Sequence, residues 1–177
     1  MLIDQYLPDY HFNEVHSLEI ANTPQKIYPL LWQTDFNGSR IIKALFALRG
    51  LPFQAIQIKT LCQHGFILLE EKKDREIVMG LVGRFWKMNG ALQNLLAVNF
   101  NSFAEPGFAK AAWNFALSKN DRNTCTLSTE TRIFCTDEQA RRNFTRYWFF
   151  IKPFSGLVRK QMLRCICKES ENTLEAD

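Results

Sequence analysis

The chain is 177 residues long, with 46% hydrophobic and 23% charged residues and a formal net charge of +4. That length fits one domain, 1–177, whose core needs no staples, and the composition excludes wholesale disorder. Fifteen Phe, four Trp and four Tyr call for either a bulky core or a ring-lined cavity, because aromatics supply much buried area per residue.

The opening MLIDQYLPDY carries an early acid and no apolar run, so no signal peptide is expected. No window holds the roughly 18 uncharged apolar residues of a spanning helix. The stretch DYHFNEVHSLEI (9–20) alternates toward its end, with His16, Leu18 and Ile20 on one side and Ser17 and Glu19 on the other, which predicts a strand. Asn22 or Thr23 then caps a helix with Pro24 at its first position, and Ile27, Leu30, Leu31 and Phe36 keep helical spacing. Ser39 caps a second helix with the stripe Ile41, Ile42, Leu45, Phe46 and Leu48, ended by Gly50 and Pro52. Residues 53–64 have no clear strand or helix character.

From Gly65 the period becomes two. GFILLEEKKDREIVMGLVGRFW (65–86) predicts a hairpin turning at KKDR, with Ile77, Met79, Leu81 and Phe85 on one face and Glu76 and Arg84 solvated or paired on the other. Gly80 and Gly83 are expected to relieve crowding in a bending strand. Three further strands are predicted, over 94–103, 107–119 and 124–136, and the repeated alternation with short polar turns indicates an antiparallel meander apolar on one face. Thr136 or Asp137 caps a last helix. At roughly 100° per residue, Phe144, Tyr147, Ile151, Phe154, Val158, Met162 and Cys165 form one stripe, with Arg142, Arg146, Lys160, Arg164 and Lys168 opposite. The stripe keeps phase across Pro153, which predicts one long helix bent there. The ordered core is expected to span about 10–168, with a frayed polar tail over 169–177.

This order of strand, two short helices, antiparallel strands and one long C-terminal helix resembles the START-like, Bet v 1-like helix-grip superfamily, which includes polyketide cyclases and aromatases. The residues that carry the resemblance are HSLEIANTPQKIYPLLW, REIVMGLVGRFW and the passage from TLSTETRIF into the helix. The resemblance implies an α+β helix-grip fold, with a curved antiparallel sheet of six or seven strands wrapped around the long helix and a hydrophobic cavity between them.

With the strand faces, it marks His16, Met79, Leu81, Phe85, Phe100, Trp113, Phe115, Leu127, Thr129, Thr131, Ile133, Phe144, Tyr147, Ile151 and Phe154 as candidate ligand-binding residues. Thr129 and Thr131 stand out, since buried hydroxyls cost energy unless paired and suit a pocket with a few orienting groups.

The expected function is cofactor-free binding of a small hydrophobic molecule, lipid-like or aromatic. The alternative is a cyclase- or dehydratase-type enzyme in the same cavity, using His16 or Tyr147 for proton transfer. His11, His16 and His64 are scattered and make no metal motif. The five cysteines, Cys62, Cys125, Cys135, Cys165 and Cys167, show no zinc spacing and predict reduced thiols in a cytoplasmic setting. Residues 141–168 hold eight Lys or Arg and no acid. Their basic face reads as a solvated surface or a peripheral contact with an acidic membrane surface. It does not read as a nucleic-acid site, because the aromatics are predicted on the other side of the helix.

Overall fold

The computed structural model describes residues 1–36, 39, 42–43, 57–62, 65–87, 90–120 and 124–174. Five strands form one antiparallel sheet: β1 (Phe12–Ile20), β2 (Ile67–Lys72), β3 (Glu76–Gly83), β4 (Ala109–Lys119) and β5 (Cys125–Cys135), in the order β1-β5-β4-β3-β2. The helices are α1 (Ile3–Tyr6), α2 (Pro24–Gln33), α3 (Ile58–Leu61) and the 37-residue α4 (Glu138–Leu174). Strands β2 to β5 are joined in succession, β1 closes onto β5, and α4 returns across one face of the sheet. This is a helix-grip fold.

The local signals act as their chemistry requires. Pro24 opens α2 after an extended Thr23. Asp137 Oδ1 accepts the Ala140 N–H at 2.6 Å, capping α4, while Gly107 N–H binds the other carboxylate oxygen. These bonds, led by that from Ala140, hold the Asp137 carboxyl below its ordinary pKa. Of the second predicted helix, the described residues include Ser39, whose Oγ accepts the Ile42 N–H at 3.3 Å as a cap does; Ile41, Leu45, Phe46 and Leu48 lie outside the described residues.

Cross-strand register fixes which side chains share a face. On the face under α4, one row runs His16, Thr129, Phe115, Ile77, and the next Glu14, Thr131, Trp113, Met79. Ile77, Met79, Trp113, Phe115 and Leu127 join Ile27 and Leu31 of α2 and Met162, Leu163 and Ile166 of α4 in the larger core. At the other end of α4, Phe144 packs with Phe12, Phe85, Ile133 and Trp148.

Several expectations need correction. The stretch 94–103 is not a strand; it holds a 3-10 turn at Ala97–Asn99, so the sheet has five strands among the described residues and not six or seven. Residues 91–97 do alternate in burial, but β3 already has β2 and β4 on its two sides, and the segment reaches the sheet past the end of β2, with Gln93 N–H donating to Val82 O at 2.9 Å.

The sheet is also not apolar on one face alone. Its outer side carries a second core in which Ile3 and Leu7 join Val78, Val82, Phe100, Phe108 and Ala112. Gly80 makes room there, since a Cβ on it would stand 2.8 Å from the Phe100 ring. Glu76, expected solvated or in a cross-strand pair, is buried beneath α1 and accepts N–H bonds from Leu2 (2.7 Å), Ile3 (3.3 Å) and, across the strands, Asn114 Nδ2 (2.6 Å). Arg84 is half-buried over the Phe108 ring. Packed structure therefore reaches beyond 10–168 at both ends. In the expected tail, Ser170 is fully buried and its Oγ accepts a bond from Asn22 Nδ2 at 3.0 Å.

The Glu76 cluster generates the first prediction. Removing the carboxylate strands three donors, and a buried donor left unpaired costs about 1–3 kcal/mol. Glu76→Ala is expected to lower unfolding free energy in urea by about 3 kcal/mol. A loss under about 0.5 kcal/mol, the range of an ordinary surface change, would mean that α1 is not held by this contact.

Candidate functional site

The face of α4 that meets the sheet follows the predicted stripe except at Phe154 and extends past it on the side of Gly156. Phe144 is buried and Tyr147 and Ile151 are half-buried, but Phe154 is 42% exposed. From there the covered positions include Ser155, Gly156, Arg159, Leu163 and Ile166 beside the predicted Val158, Met162 and Cys165, so the covered side widens and only Phe154 of the predicted stripe is left out. The middle of the interface is therefore polar and small where apolar bulk was expected.

Opposite Gly156 stand Glu14 and His16, two apart on β1 and so on one face of it. His16 Nε2 lies 3.0 Å from Glu14 Oε1, and the two side chains are 17% and 8% exposed. With the proton on Nε2, the imidazole donates to the carboxylate and carries its lone pair on Nδ1. The helix can come this close because residue 156 is glycine: a Cβ there would stand 2.5 Å from Glu14 Oε1 and 3.3 Å from His16 Nε2. Above the pair lies a groove of about 360 Å³, lined by Glu14, His16, Lys152, Pro153, Gly156, Leu157 and Lys160.

Beside the pair, on β5, the two predicted hydroxyls differ. Thr129 is satisfied: it accepts from Trp113 Nε1 and donates to Asn114 O, both at 2.7 Å. Thr131, the register partner of Glu14, has a buried Oγ1 with no hydrogen-bond partner, and Glu14 Oε2 is buried and unpaired as well. Arg159 enters the same interface, its guanidinium 3.9 Å from the centre of the Trp113 ring, a cation–π contact on the helix's inner side.

The predicted site residues thus separate into groups. His16, Met79, Leu81, Trp113, Phe115, Leu127, Thr129, Thr131 and Ile133 share the α4-facing side of the sheet, with Phe85 and Phe144 around its far end and Ile151 half-buried on α4. The rings expected to line a cavity largely fill it: Met79, Trp113, Phe115 and Leu127 are each at most 4% exposed. Phe100 is misplaced, lying in the outer core on the opposite face. Phe154 is turned toward solvent, because the helix makes its close approach to β1 at Gly156. Tyr147 packs edge-on against Phe144 and lines a different groove with Trp86 and Phe150.

Glu14, Gly156 and Arg159 were missed. Carrying the alternation of β1 back one step from His16 would have reached Glu14, whereas the helix phase gave no warning of Arg159.

His11 Nδ1 accepts the Cys135 N–H at 3.0 Å and stacks on Phe134, and burial lowers its pKa; His64 lies outside the described residues. Burial pushes the Cys62, Cys125, Cys165 and Cys167 thiols up, and Cys135 to about 12, so none gains thiolate character. Among the described residues no group of three His, Cys, Asp or Glu side chains is placed to hold a metal ion.

No protein-family model matches the chain, and no curated protein does. Among solved structures, the crystal structure of the Zhui aromatase/cyclase from Streptomyces sp. R1128 is similar over 92% of this chain and 95% of that one, at 11% sequence identity and a TM-score of 0.32. The sheet order and the long C-terminal helix described above are by themselves those of a helix-grip fold.

The approach at Gly156 gives a prediction with a change of sign. Alanine in a helix interior is favoured over glycine by about 1 kcal/mol, but a Cβ here overpacks Glu14. Gly156→Ala is expected to destabilise the protein by about 1–2 kcal/mol and to stabilise it in a Glu14→Ala background, as read from a denaturation double-mutant cycle. The same sign in both backgrounds would show that helix and dyad are not in contact.

Proposed function

We propose that the protein binds a small, ring-bearing apolar molecule at the groove between α4 and β1, holding it through a hydrogen-bond donor that reaches Glu14 and Thr131. One observation carries the reading: two neighbouring polar atoms, Glu14 Oε2 and Thr131 Oγ1, are buried without partners between the apolar ends of the helix–sheet interface. Leaving such groups unpaired costs about 1–3 kcal/mol each, more for a charged one, and a guest hydroxyl or amine recovers that cost on binding. The groove is within the lower range of small-molecule sites, about 300–1,000 Å³. Pro153 and Leu157 give it apolar walls, and Lys152 and Lys160 place positive charge at its rim.

A second reading has its own observation. The 3.0 Å contact between Glu14 and His16 is the arrangement by which a carboxylate orients an imidazole and fixes its tautomer, and it suits His16 to take a proton from a bound substrate. Tyr147, the other predicted proton carrier, lies in the Phe144 cluster and is not part of this dyad.

Two probes test these readings. By calorimetric titration, 2-naphthol is expected to bind at least about tenfold tighter than 2-methylnaphthalene, a charge-assisted hydrogen bond being worth about 1.5–3 kcal/mol. The preference should vanish in Glu14→Ala. Equal binding of the two probes, or a preference that survives the substitution, would dismiss the site. For the second reading, proton abstraction from 5-nitrobenzisoxazole should fall at least about a hundredfold in His16→Ala. An unchanged rate removes His16 as a base.

A further inference from the structure

The solvent side of α4 is not the polar face expected from its charge. Phe149 and Phe150 are 78% and 68% exposed, and Phe154 and Leu157 are 42% and 40% exposed. At roughly 100° per residue, Phe150, Phe154 and Leu157 fall within a narrow stripe with Phe149 beside them. An apolar ridge of this kind on a folded protein marks an interaction surface. Its ends are cationic: Arg146 precedes it, and Lys160, Arg164 and Lys168 follow on the same side, all exposed. No acidic residue lies between Glu138 and Glu169.

We infer that this face of α4 docks on an anionic lipid surface, with Phe149, Phe150, Phe154 and Leu157 inserted at the boundary between headgroups and acyl chains. Charge complementarity selects this occupant. A second copy of the chain packed on the same face would set cations against cations, whereas anionic headgroups neutralise both ends of the ridge. A convex ridge suits a deformable bilayer; a single nucleic-acid strand is tracked by a groove with stacking platforms. Next to the ridge, Trp86, Tyr147 and Arg146 border a groove of about 300 Å³, and amphipathic rings of this kind favour the membrane interface. Among the described residues no helix is long and apolar enough to cross a membrane, so the contact is with the surface. The inference does not rest on the proposed ligand: Leu157 and Lys160 border the dyad groove as well, but Phe149, Phe150 and Phe154, which carry the ridge, do not line it.

Co-sedimentation with vesicles tests it. The full chain is expected to bind vesicles of phosphatidylcholine with about one-third phosphatidylserine and to bind pure phosphatidylcholine at least about tenfold less, with the anionic binding weakened by salt. The triple variant Phe149→Ser/Phe150→Ser/Phe154→Ser, at positions that contribute little to the core, should retain its near-ultraviolet dichroism and lose at least about thirtyfold in partitioning. A separate Phe150→Trp variant should show an emission blue shift on anionic vesicles. Equal binding to neutral vesicles, anionic binding unaffected by the serines, tighter binding to oligo-deoxythymidine than to vesicles, or a stable dimer abolished by the serines would each overturn the proposal.

Discussion

The close approach of α4 to β1 at Gly156 is the contact on which the arrangement of the interface depends. Apolar clusters on either side of it fix the helix to the sheet, through Phe144 at one end and Met162, Leu163 and Ile166 at the other. Between them a residue without a side chain lets the helix backbone lie against a carboxylate and an imidazole. A larger residue would lift the helix and open the interface to water; a fully apolar strand would leave nothing to recognise. The polar middle survives burial because it is partly self-satisfied, with Thr129 bonded on both sides and His16 bonded to Glu14, while Glu14 Oε2 and Thr131 Oγ1 remain unpaired. Unpaired polar atoms in an otherwise packed interface locate the candidate site better than the surrounding rings do.

The same geometry explains how charge is distributed on α4. Most of its cations are in solvent, but Arg159 occupies the inner side and lies over Trp113. A planar guanidinium with long methylene stems can enter such a place, since its face stacks on an indole and its hydration is weaker than that of an ammonium. Its charge also sits in the interface that holds Glu14. The net positive charge of the helix thus has two uses, an outward field over the ridge and one inward contact within the interface.

How much of this was legible in the sequence depends on the range of the interaction that decides each element. β1, β3, β4 and β5 were readable because alternation records the two faces of a strand directly, and the register then brought His16, Thr129, Thr131 and Trp113 to one side as the pattern required. The segment 94–103 was misread for the same reason. It alternates in burial but lies beside strands that already have partners, and pattern alone does not show whether an edge is free. The burial of Glu76 under α1 was not legible because Leu2 and Ile3, which hold it there, are distant in sequence; its cross-strand bond from Asn114 is the kind of pairing expected. Phe154 was misassigned because a stripe drawn by hydrophobicity does not show that the closest approach to the sheet falls at the small residue Gly156. Glycine in the middle of a helix weakens it by about 1 kcal/mol relative to alanine, and that local cost at position 156 was the available sign of a close approach.

The approach at Gly156 links the two surfaces of α4. Had the helix met the sheet at Phe154 as well, the outer ridge would have been reduced to Phe149, Phe150 and Leu157. By placing Gly156 against Glu14, the helix turns Phe154 outward and adds it to the exposed apolar face. Lys152, Pro153, Leu157 and Lys160 then border the dyad groove on one flank, while Leu157 and Lys160 also belong to the ridge on the other. One glycine therefore sets both how closely the helix approaches the buried carboxylate and which side chains it presents to solvent. Because α4 runs unbroken across Pro153, a displacement that moves the ridge also moves the wall of the groove, and an apolar molecule reaching one lies within a helical turn or two of the other.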